Sequence, residues 1–316
     1  MYIKEIKNLS QRDVLIAGGK GSSLGEMSKI GIRIPSGFVV LTSAFDAFLQ
    51  ATDLNVEVEA IFKKNHYEDI SSVEKALVEI VNLIKNTEFP ENIANEIRNE
   101  FRRMKAPLVA VRSSATTEDS RTASWAGELE SFLNVDKDNL LDSVKKCWLS
   151  LFTPRVIFYR FQKGFHNQKV SVGVIVQEMV QSEISGIVFT VHPITNDENQ
   201  MVIEAGYGLG EVIVEGRITP DTYVINKNKP SIINKNISMQ RILIAKSVKG
   251  GNIEKSVLRM KQGKQKLSNG RIINLARICI NIEKHYKRPQ DIEWAFEKEK
   301  LYILQSRPIT TLTPYN

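Results

Sequence analysis

The chain has 316 residues, with 43 Lys and Arg against 36 Asp and Glu, for a formal net charge of +7. Hydrophobic residues make up 42% and charged residues 25%, a balance that excludes a disordered, collagenous or disulfide-scaffold protein. At about 100–200 residues per domain the length suggests two packed units, and a chain this long buries roughly three-quarters of its unfolded surface without cross-links. The two cysteines, Cys147 and Cys279, lie far apart in apolar patterns. They fit a reducing compartment and cannot make a zinc site alone. No apolar run approaches the ~18 residues of a membrane span, and Met1-Tyr2-Ile3-Lys4-Glu5-Ile6 lacks a signal-peptide core. The expectation is a cytoplasmic protein with no membrane partner. Lys and Arg are spread, with a modest excess over Lys227–Lys266. That pattern argues against nucleic acid and for a solvated surface that attracts anionic ligands.

In chain order, Val14-Leu15-Ile16 reads as a strand and Gly18-Gly19-Lys20-Gly21-Ser22-Ser23 as a glycine-rich loop. A short helix follows, with Leu24, Met27 and Ile30 at helical spacing and Gly31 as its stop. Phe38–Leu41 is a buried strand, and Thr42 or Ser43 is a candidate cap for the helix carrying Phe45, Phe48 and Leu49. Residues 55–105 are helical, with an apolar stripe of Val73, Leu77, Ile80, Val81 and Ile84 and a new helix from Pro90. Leu108–Val111 is a strand, residues 139–163 are helical with a break near Thr153-Pro154, and Val170–Val176, Ser185–Thr190 and Met201–Ala205 are strands. Lys227–Lys235 reads as a hairpin, Ser268 caps a helix, and the chain closes with strands at Asp291–Phe296 and Leu301–Ser306. This mixture means α+β or α/β.

Four constellations carry candidate chemistry. In the glycine-rich stretch, backbone N–H groups can approach a phosphate and Lys20 adds a point charge, although the spacing is not that of a Walker A loop and a plain glycine turn is the alternative. In Val111-Arg112-Ser113-Ser114-Ala115-Thr116-Thr117-Glu118-Asp119-Ser120, a strand delivers Arg112, a residue type suited to bidentate phosphate contact, into a small-polar loop of the kind that closes over phosphates. The alternative is a surface loop with Arg112 in a structural ion pair. In the closing hairpin, pairing Glu297 with Leu301 sets Glu293 opposite Gln305, so that a carboxylate and an amide oxygen share one face, with Arg307 two residues on and Ile292, Trp294 and Leu304 on the other face. Oxygen donors of this kind suit Mg²⁺, which completes its shell with substrate phosphates and water. The alternative is a polar stripe on an edge hairpin. Last, Ile203-Glu204-Ala205-Gly206-Tyr207-Gly208-Leu209-Gly210-Glu211 is either a phosphate loop or a tight turn, with Glu204 and Glu211 able to reach a ribose, a metal or only a lysine.

Taken in this order, GGKGSSLGEM, VRSSATTED with the following AG, EAGYGLGE and PQDIEW…LYILQSRPITT resemble the N-terminal ATP-binding region of the phosphoenolpyruvate synthase, pyruvate phosphate dikinase and rifampicin phosphotransferase family, from about residue 12 to residue 312. The resemblance implies a two-lobed ATP-grasp of α+β class, with the nucleotide held between mixed or antiparallel sheets and lobes at residues 1–180 and 181–316. It implies ATP and Mg²⁺ as cofactors, and it gives Lys20, Arg112, Gly127, Ser131, Gln177, Glu293, Gln305 and Arg307 as nucleotide contacts. Lys20, Arg112 and Arg307 stand as catalytic groups, and Glu293 and Gln305 as the metal pair. Gly127, Ser131 and Gln177 come from the resemblance alone. The implied reaction passes a phosphoryl or pyrophosphoryl group from Mg-ATP to a histidine on a separate swivelling domain, in the same polypeptide or another subunit, which serves a small-molecule acceptor bound elsewhere. None of His66, His166, His192 and His285 has the context of that histidine, and His192-Pro193 stands where an aspartate-proline is common. A phosphoenolpyruvate-synthase-like phosphotransferase part is the leading expectation. The same part of a rifampicin phosphotransferase and a non-catalytic ATP-sensing module are the alternatives.

Overall fold

The computed structural model of the chain describes residues 1–64, 70–116, 119–120, 123–124, 130–154, 156, 171–248 and 250–310. These residues fold as α+β, and every strand pair among them is antiparallel. The chain divides into two compact units, Met1–Glu26 with Ser36–Met179, and Met27–Pro35 with Val180–Asn316.

The first unit has β1 (Ile3–Glu5), α1 (Val14–Lys29, which runs on into the second unit), β2 (Gly37–Val40), α2 (Thr42–Ala51), α3 (Leu54–Lys64), α4 (Ile70–Asn86) and α5 (Glu91–Met104). It continues with β3 (Val109–Ala115), the short pair β4 (Asp119–Ser120) and β5 (Ala123–Ser124), β6 (Ser131–Val135), α6 (Leu140–Leu149) and β7 (Val172–Glu178). Its five-stranded sheet runs β1-β2-β7-β3-β6. Alternation along the strands sends Phe38, Val40, Val109, Val111, Val174 and Val176 into one core with the apolar faces of the helices. Trp148 sits there with the rings of Phe45, Phe48 and Phe89 at 5.2, 5.3 and 5.2 Å. The other sheet face carries Gly37 and Val39 (β2), Gly173, Ile175 and Gln177 (β7), Ala110, Arg112 and Ser114 (β3) and Ser131 (β6), as the strand registers require.

The second unit holds β8 (Ile184–Phe189), β9 (Gln200–Tyr207), β10 (Asp221–Asn226), β11 (Ser231–Asn236), the separate hairpin of β12 (Ile242–Lys246) and β13 (Asn252–Ser256), the helix Asn269–Tyr286, β14 (Gln290–Glu297) and β15 (Lys300–Pro308). Its six-stranded sheet runs β11-β10-β9-β8-β14-β15. The face with Ile203, Tyr223, Ile225, Ile292 and Trp294 is fully buried. The helix Asn269–Tyr286 contributes Ile272, Leu275, Cys279 and Ile282 to the buried interior, and Ser268 caps it by accepting the Arg271 N–H. At the start of β10 lies an ion pair with no exposed side-chain surface: Lys266 Nζ is 2.7 Å from Asp221 Oδ1. Asp221 also accepts from the Tyr223 hydroxyl and the backbone N–H groups of Ser238 and Lys266, so all its lone pairs are used within the fold.

Two local expectations are corrected. Val14-Leu15-Ile16 is the first turn of α1, not a strand, and Leu15 is 78% exposed. The missed signal lies just upstream, where Ser10 and Asp13 form a capping box that starts helical geometry. Helix α2 starts with Leu41 at its N-cap and no side-chain cap; the Thr42 hydroxyl donates to the Leu15 carbonyl instead. Gly31 closes α1 as expected, at φ +78°, with Ile32 N–H on the Met27 carbonyl. The expected helix over 139–163 is seen as α6 and a single turn at Ser150–Phe152, and most of its remainder lies outside the described residues.

Breaking the buried pair should be costly, because the charge left behind has no water to replace its partner. Lys266→Ala is expected to destabilise the second unit by about 3–5 kcal/mol, read as a lowered urea midpoint. A midpoint within error of wild type would show that Asp221 is satisfied without the ammonium.

Candidate functional site

In the first unit the glycine-rich stretch is helical apart from one break. Gly18 sits at φ +73°, and a Cβ there would lie 2.0 Å from the Ser114 carbonyl oxygen. Gly25 is also tight, since a Cβ would stand 2.5 Å from the Leu9 Cβ. Glycines therefore serve here to bring a helix onto β3 and the N-terminal turn. The contact is polar as well as steric: Gly21 N–H donates to Ser114 Oγ at 3.0 Å and Lys20 Nζ to the Ser113 carbonyl at 3.1 Å. The break restarts the helix at Gly19, so its first-turn N–H groups and Lys20 lie over β3.

Register then gathers the other first-unit residues. Arg112 stands opposite Ser131 on one side and Ile175 on the other, and Gln177 is its diagonal neighbour on β7. Lys20, Arg112, Ser131 and Gln177 thus belong to one side of one sheet. Gln177 is 2% exposed, and its Nε2 has no hydrogen-bond partner among the described residues. Ser113 points the opposite way, into the core, with its hydroxyl on the Glu130 carbonyl. Gly127, with most of the loop expected to close over phosphates, lies outside the described residues.

In the second unit Glu293 stands opposite Gln305. The expected route to that pairing is corrected. Lys298 and Glu299, both at positive φ, make a two-residue turn that pairs Glu297 with Lys300 rather than Leu301. A bulge at Leu304 then inserts one residue and restores the register. Ile303, not Leu304, therefore joins Trp294 on the buried face. Arg307 is held by Asp291, whose Oδ2 accepts from Nε at 2.9 Å and Nη2 at 2.7 Å. The sequence reading did not single out Asp291, although its place two residues before Glu293 fixes it on the same face.

Burial lifts the Asp291 carboxyl above the usual carboxylate range; Arg307 pulls it back and the Glu293 charge adds to the rise. Glu204 of β9 lies in the same cross-strand row, through Ile187 to Glu293 and Gln305. Its carboxyl is also raised, first by burial and then by the Asp291 charge. These donors fit a hard divalent cation: one carboxylate beside one amide oxygen on a rigid antiparallel pair. Among the described residues no three His, Cys, Asp or Glu side chains come close enough to hold a metal by themselves. An ion at Glu293 and Gln305 therefore has to take further ligands from substrate or water, as Mg²⁺ does.

The EAGYGLGE segment resolves as a turn. Gly208 N–H donates to the Glu183 carbonyl and Leu209 N–H to the Ile244 carbonyl, while Ser182 and Ser185 hydroxyls hold the Gly208 carbonyl. Gly208 is at φ +89°, and a Cβ would meet the Ile244 oxygen at 2.5 Å. Two of the N–H groups that a phosphate loop would offer are spent inside the fold. Glu211 accepts from Asn252 Nδ2 at 2.6 Å and so anchors the β12–β13 hairpin. His192 is a turn residue: its Nδ1 accepts the N–H groups of Ile194 and Thr195, each at 3.3 Å.

By fold, then, the chain is an α+β protein of two units, one carrying Arg112 on a sheet face with Lys20 on the helix that lies against it, and the other carrying Glu293 and Gln305 on a sheet face. It belongs to the family described as the pyruvate phosphate dikinase AMP/ATP-binding domain, whose model matches residues 14–315. A protein of Methanocaldococcus jannaschii named probable phosphoenolpyruvate synthase is 42% identical over 98% of this chain and 27% of its own length. One of the same name from Archaeoglobus fulgidus is 42% identical over 99% of this chain and 42% of its own length. A Bacillus cereus protein named rifampicin phosphotransferase is 37% identical over 99% of this chain and 36% of its own length. The chain therefore spans between about a quarter and under half of these relatives. A solved structure, the D-alanine–D-alanine ligase of Bacillus anthracis complexed with ATP, aligns at a TM-score of 0.25 with 10% identity over 68% of this chain and 54% of that one, a likeness too slight to carry fold or function. No helix among the described residues is long and apolar enough to cross a membrane.

Two outcomes follow from this geometry. Gly18→Ala combines a left-handed backbone with a clash against β3 and is expected to cost about 3 kcal/mol or more, seen as a lower denaturation midpoint for the first unit. Glu204, being raised, keeps a proton in the folded chain that the unfolded chain releases, so stability is lost as pH rises above the ordinary glutamate range. Glu204→Gln removes that penalty. Its urea midpoint should exceed that of wild type at pH 7, and the difference should close as pH falls toward 4. An equal midpoint at both pH values would show that the carboxyl is fully solvated.

Proposed function

We propose that the chain binds Mg-ATP and passes a phosphoryl or pyrophosphoryl group to a histidine on a separate domain, as the nucleotide-handling part of a dikinase-like phosphotransferase. The carrying observation is the pairing of Glu293 with Gln305 on one sheet face, in a chain whose family is an AMP/ATP-binding domain. In this reading Lys20 and Arg112 neutralise phosphate oxygens, Gln177 offers its unpartnered amide to the adenine, Gly127 and Ser131 line the nucleotide, and Arg307 meets the transferring group. Mg²⁺, when bound, screens the phosphates and holds them in line for attack. The chain's own residues do the positioning: Glu293 and Gln305 orient the cation, and Asp291 fixes the Arg307 fork until phosphate oxygens compete for it.

Phosphoryl transfer needs charge neutralisation and alignment more than covalent help, so a set of lysine, arginines and a cation is adequate in kind. The acceptor chemistry lies outside this module, since relatives named phosphoenolpyruvate synthase and rifampicin phosphotransferase match it over nearly its whole length. The phosphoenolpyruvate-synthase-like reading leads because two relatives of that name share 42% identity with the chain.

Calorimetry tests the reading. Glu293→Gln and Gln305→Ala should each weaken Mg-ATP binding while leaving metal-free ATP binding much less affected. Lys20→Ala and Arg112→Ala should each weaken nucleotide binding by about 1–3 kcal/mol, the scale of a charged hydrogen bond. Equal affinities for wild type and all four variants would exclude this site.

A further inference from the structure

We infer that Gln290 and Ser306 are positioning residues: their buried contact keeps Gln305 and Arg307 on the polar face of the β14–β15 hairpin when Arg307 leaves Asp291 for a phosphate. The inference rests on the nucleotide reading above and adds two residues that act from the opposite side of the sheet. Two registers are open to this hairpin. The turn pairs Glu297 with Lys300, and that register continued without the bulge would set Asp291 opposite Ser306 and Gln290 opposite Arg307. Opposite residues share a face. Arg307 would then enter the buried interior beside Gln290, Ser306 would stand among the polar groups, and Gln305 would turn away from Glu293. The bulge at Leu304 gives the other register, with Ile292 opposite Ser306 and Asp291 opposite Arg307.

A buried polar network favours this second register. Gln290, Ser306 and Thr190 are each at most 2% exposed. The Ser306 hydroxyl donates to Gln290 Oε1 at 2.9 Å, a contact that requires Ser306 to face inward. Gln290 Nε2 donates to the carbonyls of Arg288 and Pro289, each at 3.1 Å. Two bonds tie Gln290 to the end of β8: its N–H donates to Thr190 Oγ1 at 2.8 Å, and its carbonyl accepts the Thr190 N–H at 2.9 Å. The Thr190 carbonyl in turn accepts from Lys227 Nζ at 2.6 Å, and Lys227 pairs with Glu283 at 2.7 Å. Ser306 is thereby anchored through β14 and β8 to the helix Asn269–Tyr286. A satisfied buried network specifies one register, because a slip of one residue breaks every bond that crosses the strands.

On the polar face the hold is conditional. The Arg307 side chain is 33% exposed, and in the reading above Asp291 gives it up to phosphate oxygens. Strand β15 is also the edge of its sheet, and Pro308 brings no N–H to the ladder just beyond Arg307. When the guanidinium moves to a phosphate, the Gln290–Ser306 contact still holds the strand in register.

The test uses the 316-residue chain as wild type, Ser306→Ala, Gln290→Met and the double variant. Hydrogen exchange of the Arg307 Nε–H is followed by NMR without ligand, and Mg-ATP and AMP are titrated by calorimetry. Loss of the contact is expected to speed that exchange roughly tenfold and to weaken Mg-ATP binding by a similar factor. AMP, which has no terminal phosphate for Arg307 to meet, should bind as to wild type. The double variant should match Gln290→Met alone, since the bond the two residues share is already lost. Should Gln290→Met fail to fold, Ser306→Ala, which removes one hydroxyl, decides alone. Unchanged exchange in Ser306→Ala would overturn the inference. So would an equal loss for AMP and Mg-ATP, the mark of a general loosening of the fold. Wild type that binds no Mg-ATP would overturn the nucleotide reading, and the ligand-free exchange would still decide whether the contact holds Arg307.

Discussion

The parity of antiparallel strand pairing is the constraint on which the candidate site depends. Side chains alternate with a period of two, so a slip of one residue moves a whole set of groups through the sheet. The β14–β15 hairpin shows how narrow this margin is. Its tight turn pairs Glu297 with Lys300, and if that register ran on unbroken, Glu293 would stand opposite Leu304. The bulge at Leu304 absorbs one residue and sets Gln305 across from Glu293 and Arg307 across from Asp291. Ahead of the bulge the same strand sends Ile303 and Leu301 into the buried interior. The bulge thus lets a single strand serve the core at one end and a polar face at the other.

A different device positions the first-unit residues. Helix α1 approaches β3 closely because Gly18 and Gly21 offer no side chain, and the gap is bridged by Ser114 Oγ and the Ser113 carbonyl. Lys20 is therefore carried by a packed helix. Held in this way it loses less freedom on meeting an anion than a lysine on a loop. The same glycines that read as a phosphate cradle in the sequence act first as a packing device, and the two uses are compatible because the helix restarts at Gly19.

Much of this was legible in the sequence because both signals are short-range. Buried strands such as Phe38–Leu41 announce themselves as apolar runs, and the alternation in Asp291–Phe296 fixes which residues share a face. The Glu293–Gln305 pairing was reached through a turn one residue too long, and the unforeseen bulge offset the difference. What escaped depends on groups distant in sequence. Nothing local marks Lys266 as the buried partner of Asp221, 45 residues away, because a lone lysine in a basic stretch reads as surface. Val14-Leu15-Ile16 misled because three apolar residues carry no period, and only the upstream Ser10–Asp13 box separates helix from strand. The GYGLG turn was ambiguous for a related reason. Its glycines are needed whether N–H groups face a phosphate or a neighbouring strand, and only the β12 partner decides.

The two units also differ in how they hold polar groups. The Asp221–Lys266 network is fully satisfied and wholly buried, the pattern of a structural element. Gln177 and Glu204 are the reverse, one with a buried amide nitrogen and the other with a half-buried carboxylate that have no hydrogen-bond or ion-pair partner among the described residues. An unsatisfied buried amide costs about 1–3 kcal/mol, and a fold selected for stability alone would replace it with an apolar side chain of similar shape. Ser22, Trp148 and Trp294 also carry buried atoms without a hydrogen-bond partner among the described residues. Gln177 and Glu204 both lie on sheet faces that present other polar candidates, Arg112 and Ser131 in one unit, Glu293 and Gln305 in the other. Stability forgone at these two positions, and retained at Asp221, is the distribution expected where a ligand completes the polar contacts.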